Sequence, residues 1–151
     1  MPRLDDAQIE SLASKAWEAR LNAYAPYSQF PVGAALLAAD GRVFIGANVE
    51  NASLGLSMCA ERVAIGAAAA AGARSVIAIA VAGCDEQGVL PCGACRQVLN
   101  EFSPSVLVVQ CRPDGAHTVT PLSQLLSSPF TGDSFERGRS GERDSVGAGQ
   151  G

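Results

Sequence analysis

The sequence is short of basic charge, of histidine and of long apolar runs, and each scarcity removes a class of function. Eleven lysines and arginines stand against fifteen acidic residues, for a formal net charge of −4. The arginines near the C-terminus are scattered, so no basic run is available to neutralise a row of phosphates, and a nucleic-acid partner is not expected. No apolar stretch is long and continuous enough to cross a bilayer. The opening "MPRLDDAQIE" carries acidic residues where a secretory signal would need an unbroken apolar core. The expected location is cytoplasmic, with no membrane partner. The single histidine, His117, lies in a strand-like segment after a turn and is expected to be structural or exposed.

What is present points to one compact domain. At 151 residues and 48% hydrophobic, the chain can bury most of its unfolded surface in a single core. In "DDAQIESLASKAWEARLNA", Ile9, Leu12, Ala13, Ala16 and Trp17 recur at helical spacing, with Asp5 and Gln8 placed for a capping box. The next stretch, "AYAPYSQFP", has two prolines and three aromatics and is expected to be an ordered loop. "VGAALLAADGRVFIGA" holds two apolar runs joined by Asp40-Gly41, a hairpin signal. Residues 59–72 are alanine-rich and predict a helix, and "SVIAIAVAG" predicts a strand buried on both faces. Cys92, Cys95, Leu99 and Phe102 share one face of a further helix. "SVLVVQC" predicts another buried strand, and "HTVTPLSQLL" a short strand entering a short helix near Pro121. This order implies an α/β fold, a three-layer α/β/α sandwich with a mixed central sheet of about five strands. Residues 131–151 are rich in Gly, Ser and charge, so the domain is expected to end near residue 130 and the tail to be mostly disordered.

Five cysteines is an odd number, and CxxC spacing in a cytosolic chain points to metal or redox chemistry before a disulfide scaffold. Cys84 and Cys111 adjoin apolar runs and are expected to be buried core thiols. Cys92 and Cys95, at the start of a helix, can reach one ion, and Cys59, at the start of another, can supply a third sulfur. A CxxC alone fits a structural zinc knuckle or a redox pair equally well. Three ligands would leave one position of a tetrahedral zinc open to water, which separates a catalytic site from a closed one. Glu61, two residues after Cys59, is then placed to act as general base. Arg62, Arg96 and Gln97 are candidates to donate to the sulfurs and offset their charge.

The pattern C-A-E followed by P-C-x-x-C is the all-cysteine form of the zinc deaminase signature. Together with "YAPYSQFPVGAAL", "NVENAS" and "PCGACRQVLNEF", it resembles the small homotetrameric cytidine deaminases of pyrimidine salvage, from about residue 24 to about residue 130. The resemblance implies one Zn²⁺ per chain on Cys59, Cys92 and Cys95, with Glu61 shuttling protons. It implies a nucleoside site at Asn48, Val49 and Glu50, the first and last bonding the sugar, with Phe30 lining the pocket. It also implies a homotetramer in which a phenylalanine from a neighbouring subunit stacks on the base, and Phe130 is the candidate. The implied reaction is hydrolytic deamination of cytidine and deoxycytidine. Many relatives carry an aromatic in the loop before C-A-E where this chain has Leu54, which affects one intersubunit contact and not the reaction. Deamination of a cytosine-containing antibiotic is the nearest alternative; intact F-P-V-G-A and N-x-E favour the nucleoside. A zinc-stabilised binding protein would need a fourth protein ligand, and none is evident.

Overall fold

In the computed structural model, which describes residues 3–139, helix α1 (Asp6–Arg20) starts at the capping box expected of it. The Asp5 side chain accepts from the Gln8 N–H, and the Gln8 side chain accepts from the Asp5 N–H. Strands β1 (Val32–Ala38) and β2 (Val43–Ala47) form the hairpin, turning at Gly41 with φ 87°. A single 3₁₀ turn at Leu54–Leu56 precedes α2 (Ala60–Ala70). Then follow β3 (Val76–Gly83), α3 (Gly93–Phe102), β4 (Leu107–Cys111), β5 (His117–Pro121) and the short α4 (Leu122–Leu125).

The five strands make one mixed sheet in the order β2-β1-β3-β4-β5. β3 and β4 run parallel and the other neighbours antiparallel. A parallel pair needs a crossover, and α3 provides it. Alternation along β1 splits the core in two. Ala34, Leu36 and Ala38 pack with Ala60, Ala64, Ile65 and Leu99 beneath α2 and α3, whereas Ala35 joins Ala78, Ala80 and Val109 beneath Ile9, Leu12 and Ala16 of α1. Helices therefore cover both faces, as a three-layer sandwich requires.

Small residues bring these layers close. A methyl group on Gly33 would stand 2.0 Å from the Ala16 carbonyl oxygen, and one on Gly46 would stand 2.3 Å from that of Ala60. The strand backbones thus touch α1 and α2 directly.

Register decides where the connecting loops meet. Gly33 pairs with Ala47 and Val32 with Gly83, so the start of β1 and the ends of β2 and β3 share one end of the sheet. The loops before β1, after β2 and after β3 are gathered there, and so are the starts of α2 and α3.

One expectation changes. Cys111 is buried as foreseen, but Cys84 is exposed and bonded by Arg20, because it lies one residue past the last residue of β3. Within the segment expected to be mostly disordered, residues 133–139 have helical backbone, and Phe135 meets the Phe130 ring edge-on at 5.2 Å. The rest of that segment, 140–151, lies outside the described residues. His117 is half-buried on β5, its Nδ1 3.9 Å from Glu10 Oε1.

Candidate active site

Cys59 is the N-cap of α2 and Cys92 the N-cap of α3, and neither side chain caps its own helix. Both sulfurs are left to face the gap between the helix starts, and Cys95 joins them from the first turn of α3. The three Sγ atoms lie within 4.8 Å of one another, with Cys59 and Cys92 3.8 Å apart. Zinc–sulfur bonds of about 2.3 Å at the tetrahedral angle would hold sulfurs about 3.8 Å apart, so the donor set and its spacing fit zinc. The positive ends of two helices further favour thiolates here.

The protein's own charges support this. A hydrogen bond from Cys95, followed by the Arg62 guanidinium, holds the Cys59 thiol down at about 5. Cys95 is pushed up in return, first by that bond to Cys59 and then by burial. Arg62 Nη2 sits 3.7 Å from Cys59 Sγ and 3.3 Å from the Ser57 carbonyl oxygen, while its Nε is buried without a hydrogen-bond partner. A guanidinium so placed suits a site with more thiolate charge than one dication cancels.

Glu61, one residue into α2, is 3% exposed and the one charged side chain among the buried core residues described. Burial, aided by the negative charge of Cys59, raises its carboxyl above the usual range. A carboxyl shifted upward holds a proton more readily, which suits a group that must take one from water and pass it on.

Glu61 borders a cavity of about 270 Å³ with Cys59, Cys92, Asn48, Phe30 and Ser28. Val32, Val89 and Leu90 supply apolar wall. These valines and Leu90 were not anticipated from sequence, although Val89-Leu90 directly precedes Pro91-Cys92 and so had to lie near the sulfurs. A larger open groove beside Arg112 and Asp114 is lined mostly by polar side chains and lies away from the cysteines.

Asn48 Oδ1 accepts from the Val32 N–H at 2.8 Å, and its Nδ2 donates to the Phe30 carbonyl at 2.9 Å. Val49 forms backbone bridges with Tyr24 and Met58. The Glu50 carboxylate accepts from the loop at Tyr27 and Ser28. Arg96 does not meet the sulfurs: its Nε and Nη1 donate to the carbonyls of Pro91 and Leu125. Gln97 Nε2 donates to the Phe130 carbonyl at 2.7 Å. Both side chains tie α3 to nearby backbone, Arg96 through part-buried bonds and Gln97 through an exposed one. Phe130 is 57% exposed and does not line its own chain's cavity.

The family model for the cytidine and deoxycytidylate deaminase zinc-binding region matches residues 6–111. The chain belongs to this family. It is 47% identical over 125 residues to a cytidine deaminase of Halalkalibacterium halodurans, a match covering 82% of this chain and 95% of that protein. A cytidine deaminase of Mycobacterium tuberculosis is 40% identical over 138 residues, covering 90% of this chain and 99% of the relative. Among solved structures, cytidine deaminase from Burkholderia pseudomallei superposes with a TM-score of 0.78 at 48% identity, over 84% of this chain and all of that one. The five-stranded mixed sheet with its flanking helices is thus the fold of cytidine deaminases.

Proposed function

We infer that the protein is a zinc-dependent hydrolase that converts cytidine and deoxycytidine to uridine and deoxyuridine with release of ammonia, serving pyrimidine salvage. The observation that carries this is a single cavity bordered by metal-binding thiols, by the buried carboxyl of Glu61 and by an aromatic ring.

Zinc held by Cys59, Cys92 and Cys95 supplies, when bound, the Lewis acidity that makes water a nucleophile at neutral pH. The chain's own residues do the rest. Phe30, Val32, Val89 and Leu90 exclude water from the faces of the pyrimidine ring. The Glu61 carboxylate takes a proton from the attacking water and delivers it to ring N3 as oxygen bonds to C4. It then carries the second proton to the amino nitrogen, which leaves as ammonia when its bond to C4 breaks. One water is consumed, and the carboxylate is regenerated.

Asn48 retains one N–H and one lone pair beyond its two backbone bonds, enough to pair with a sugar hydroxyl. A free base would leave those groups unpaired, which favours a nucleoside. The assembly proposed is a homotetramer in the cytoplasm. Exposed apolar side chains support self-association: Leu54 and Leu56 are 70% and 69% exposed, and the Phe130 ring stands out from its own subunit. In that assembly Phe130 enters a neighbour's pocket.

Incubating the purified protein with cytidine and following ultraviolet absorbance tests the activity. Conversion to uridine with an equal amount of ammonia is expected, and no conversion by the zinc-loaded protein would refute it. Light scattering should report a tetramer; a fully active monomer would refute the shared pocket.

A further inference from the structure

Residues 27–32 carry Phe30 into the cavity, yet most of this stretch has no strand or helix to fix its shape. Gln29 adopts φ 56°, a left-handed backbone that costs free energy for any residue with a side chain. Something outside the loop must hold it.

The Gln29 N–H donates to the Ala25 carbonyl and Arg20 Nε to the Pro31 carbonyl, both at 3.0 Å, and Glu50, three residues past the end of β2, binds the stretch between them. Its Oε2 accepts from the backbone N–H groups of Tyr27 and Ser28, both at 3.1 Å. Its Oε1 accepts from the Ser28 N–H at 3.3 Å and from the Ser28 hydroxyl. The same Ser28 oxygen accepts from the Phe30 N–H at 3.1 Å. One hydroxyl therefore links the carboxylate to the backbone of the aromatic residue, spanning the left-handed Gln29. Asn48 closes the other end of the loop through Phe30 and Val32. A carboxylate has about four acceptor sites, and the loop occupies most of them. Glu50 can then take about one further donor, such as a single substrate hydroxyl.

We propose that Ser28 is a positioning residue that sets substrate affinity, its hydroxyl locking the Glu50 carboxylate and the Phe30 backbone into one preformed wall of the nucleoside cavity. This rests on the nucleoside activity proposed above. Ser28 itself lines the cavity beside Phe30 and Asn48, so loosening the lock changes the shape that the substrate meets. The bond from Ser28 also holds the Glu50 carboxyl below the usual carboxylate range, keeping it ionised to accept. The sulfurs and Glu61 stand on α2 and α3, and the hydrogen bonds of the lock join only Tyr27, Ser28, Phe30 and Glu50.

The test compares Ser28→Ala with Ser28→Thr, which keeps the hydroxyl. Ser28→Ala should raise KM for cytidine about tenfold, the size of one hydrogen bond to a charged group, with kcat within about twofold and zinc unchanged. Ser28→Thr should stay near the parent, and adding Ser28→Ala to Glu50→Gln should cost little more than Glu50→Gln alone. Independently of turnover, amide hydrogen exchange over residues 26–32 should quicken in Ser28→Ala and not in Ser28→Thr. An unchanged KM or an unchanged exchange rate in Ser28→Ala overturns the proposal. A parent protein unable to convert cytidine would instead refute the proposed function, and the exchange measurement would then decide the lock alone.

Discussion

The sulfur of Cys59 stands 3.8 Å from that of Cys92 across 33 residues of chain. Because each residue is the N-cap of its helix, the sheet register that aligns the starts of α2 and α3 also sets the spacing of the ligands. Fold and metal site are one construction.

From this follows an expectation about metal content. The parent should hold about one zinc per chain, and Cys92→Ala well below one, since two thiols are a poorer clamp than three. Elemental analysis of protein purified without chelator decides this. Full zinc occupancy in Cys92→Ala would remove that sulfur from the site.

The contact between β2 and α2 gives a second expectation. An added methyl on Gly46 would lie 2.3 Å from the Ala60 carbonyl oxygen and 2.6 Å from the Ala64 nitrogen, both backbone atoms that cannot swing aside. Gly46→Ala should cost about 1–3 kcal/mol of stability. It should also weaken zinc retention, because Ala60 adjoins Cys59. A denaturant midpoint equal to the parent's would mean that α2 shifts freely.

Cys111 supplies a pH dependence. Burial pushes its thiol up to about 11 from an ordinary value of 9.0. The unfolded chain therefore loses this proton first as pH rises. The stability linked to the neutral thiol is complete below about pH 9 and declines as pH climbs through 11. Unfolding midpoints measured between those limits should fall more steeply in the parent than in Cys111→Ala. At neutral pH a thiol reagent should label exposed Cys84 quickly and Cys111 only on unfolding. Equal labelling of the two would contradict the burial.

Local signals carried much of this from the sequence. The Asp5–Gln8 capping box, the Asp40-Gly41 turn and the unbroken apolar run of β3 each act within a few residues, so the sequence shows cause and effect together. The C-A-E and P-C-G-A-C segments likewise declared which thiols could meet. What stayed hidden depends on distant backbone. Nothing near Arg96 announces that its guanidinium is taken by the Leu125 carbonyl, 29 residues on, or that Gln97 is taken by Phe130. The edge-on pair of Phe130 and Phe135 is likewise a contact that composition averages away. Cys84 looked buried because it follows an apolar strand, whereas the pairing ends one residue earlier at Gly83.

Proton transfer by Glu61 is tested most directly by cytidine turnover of Glu61→Gln compared with the parent at equal zinc content. Glu61 is the buried carboxyl proposed to carry the protons, and the amide keeps its shape without its chemistry. Glu61→Gln should keep zinc and fold with turnover lower by roughly two to four orders of magnitude. Near-normal turnover in Glu61→Gln would contradict it.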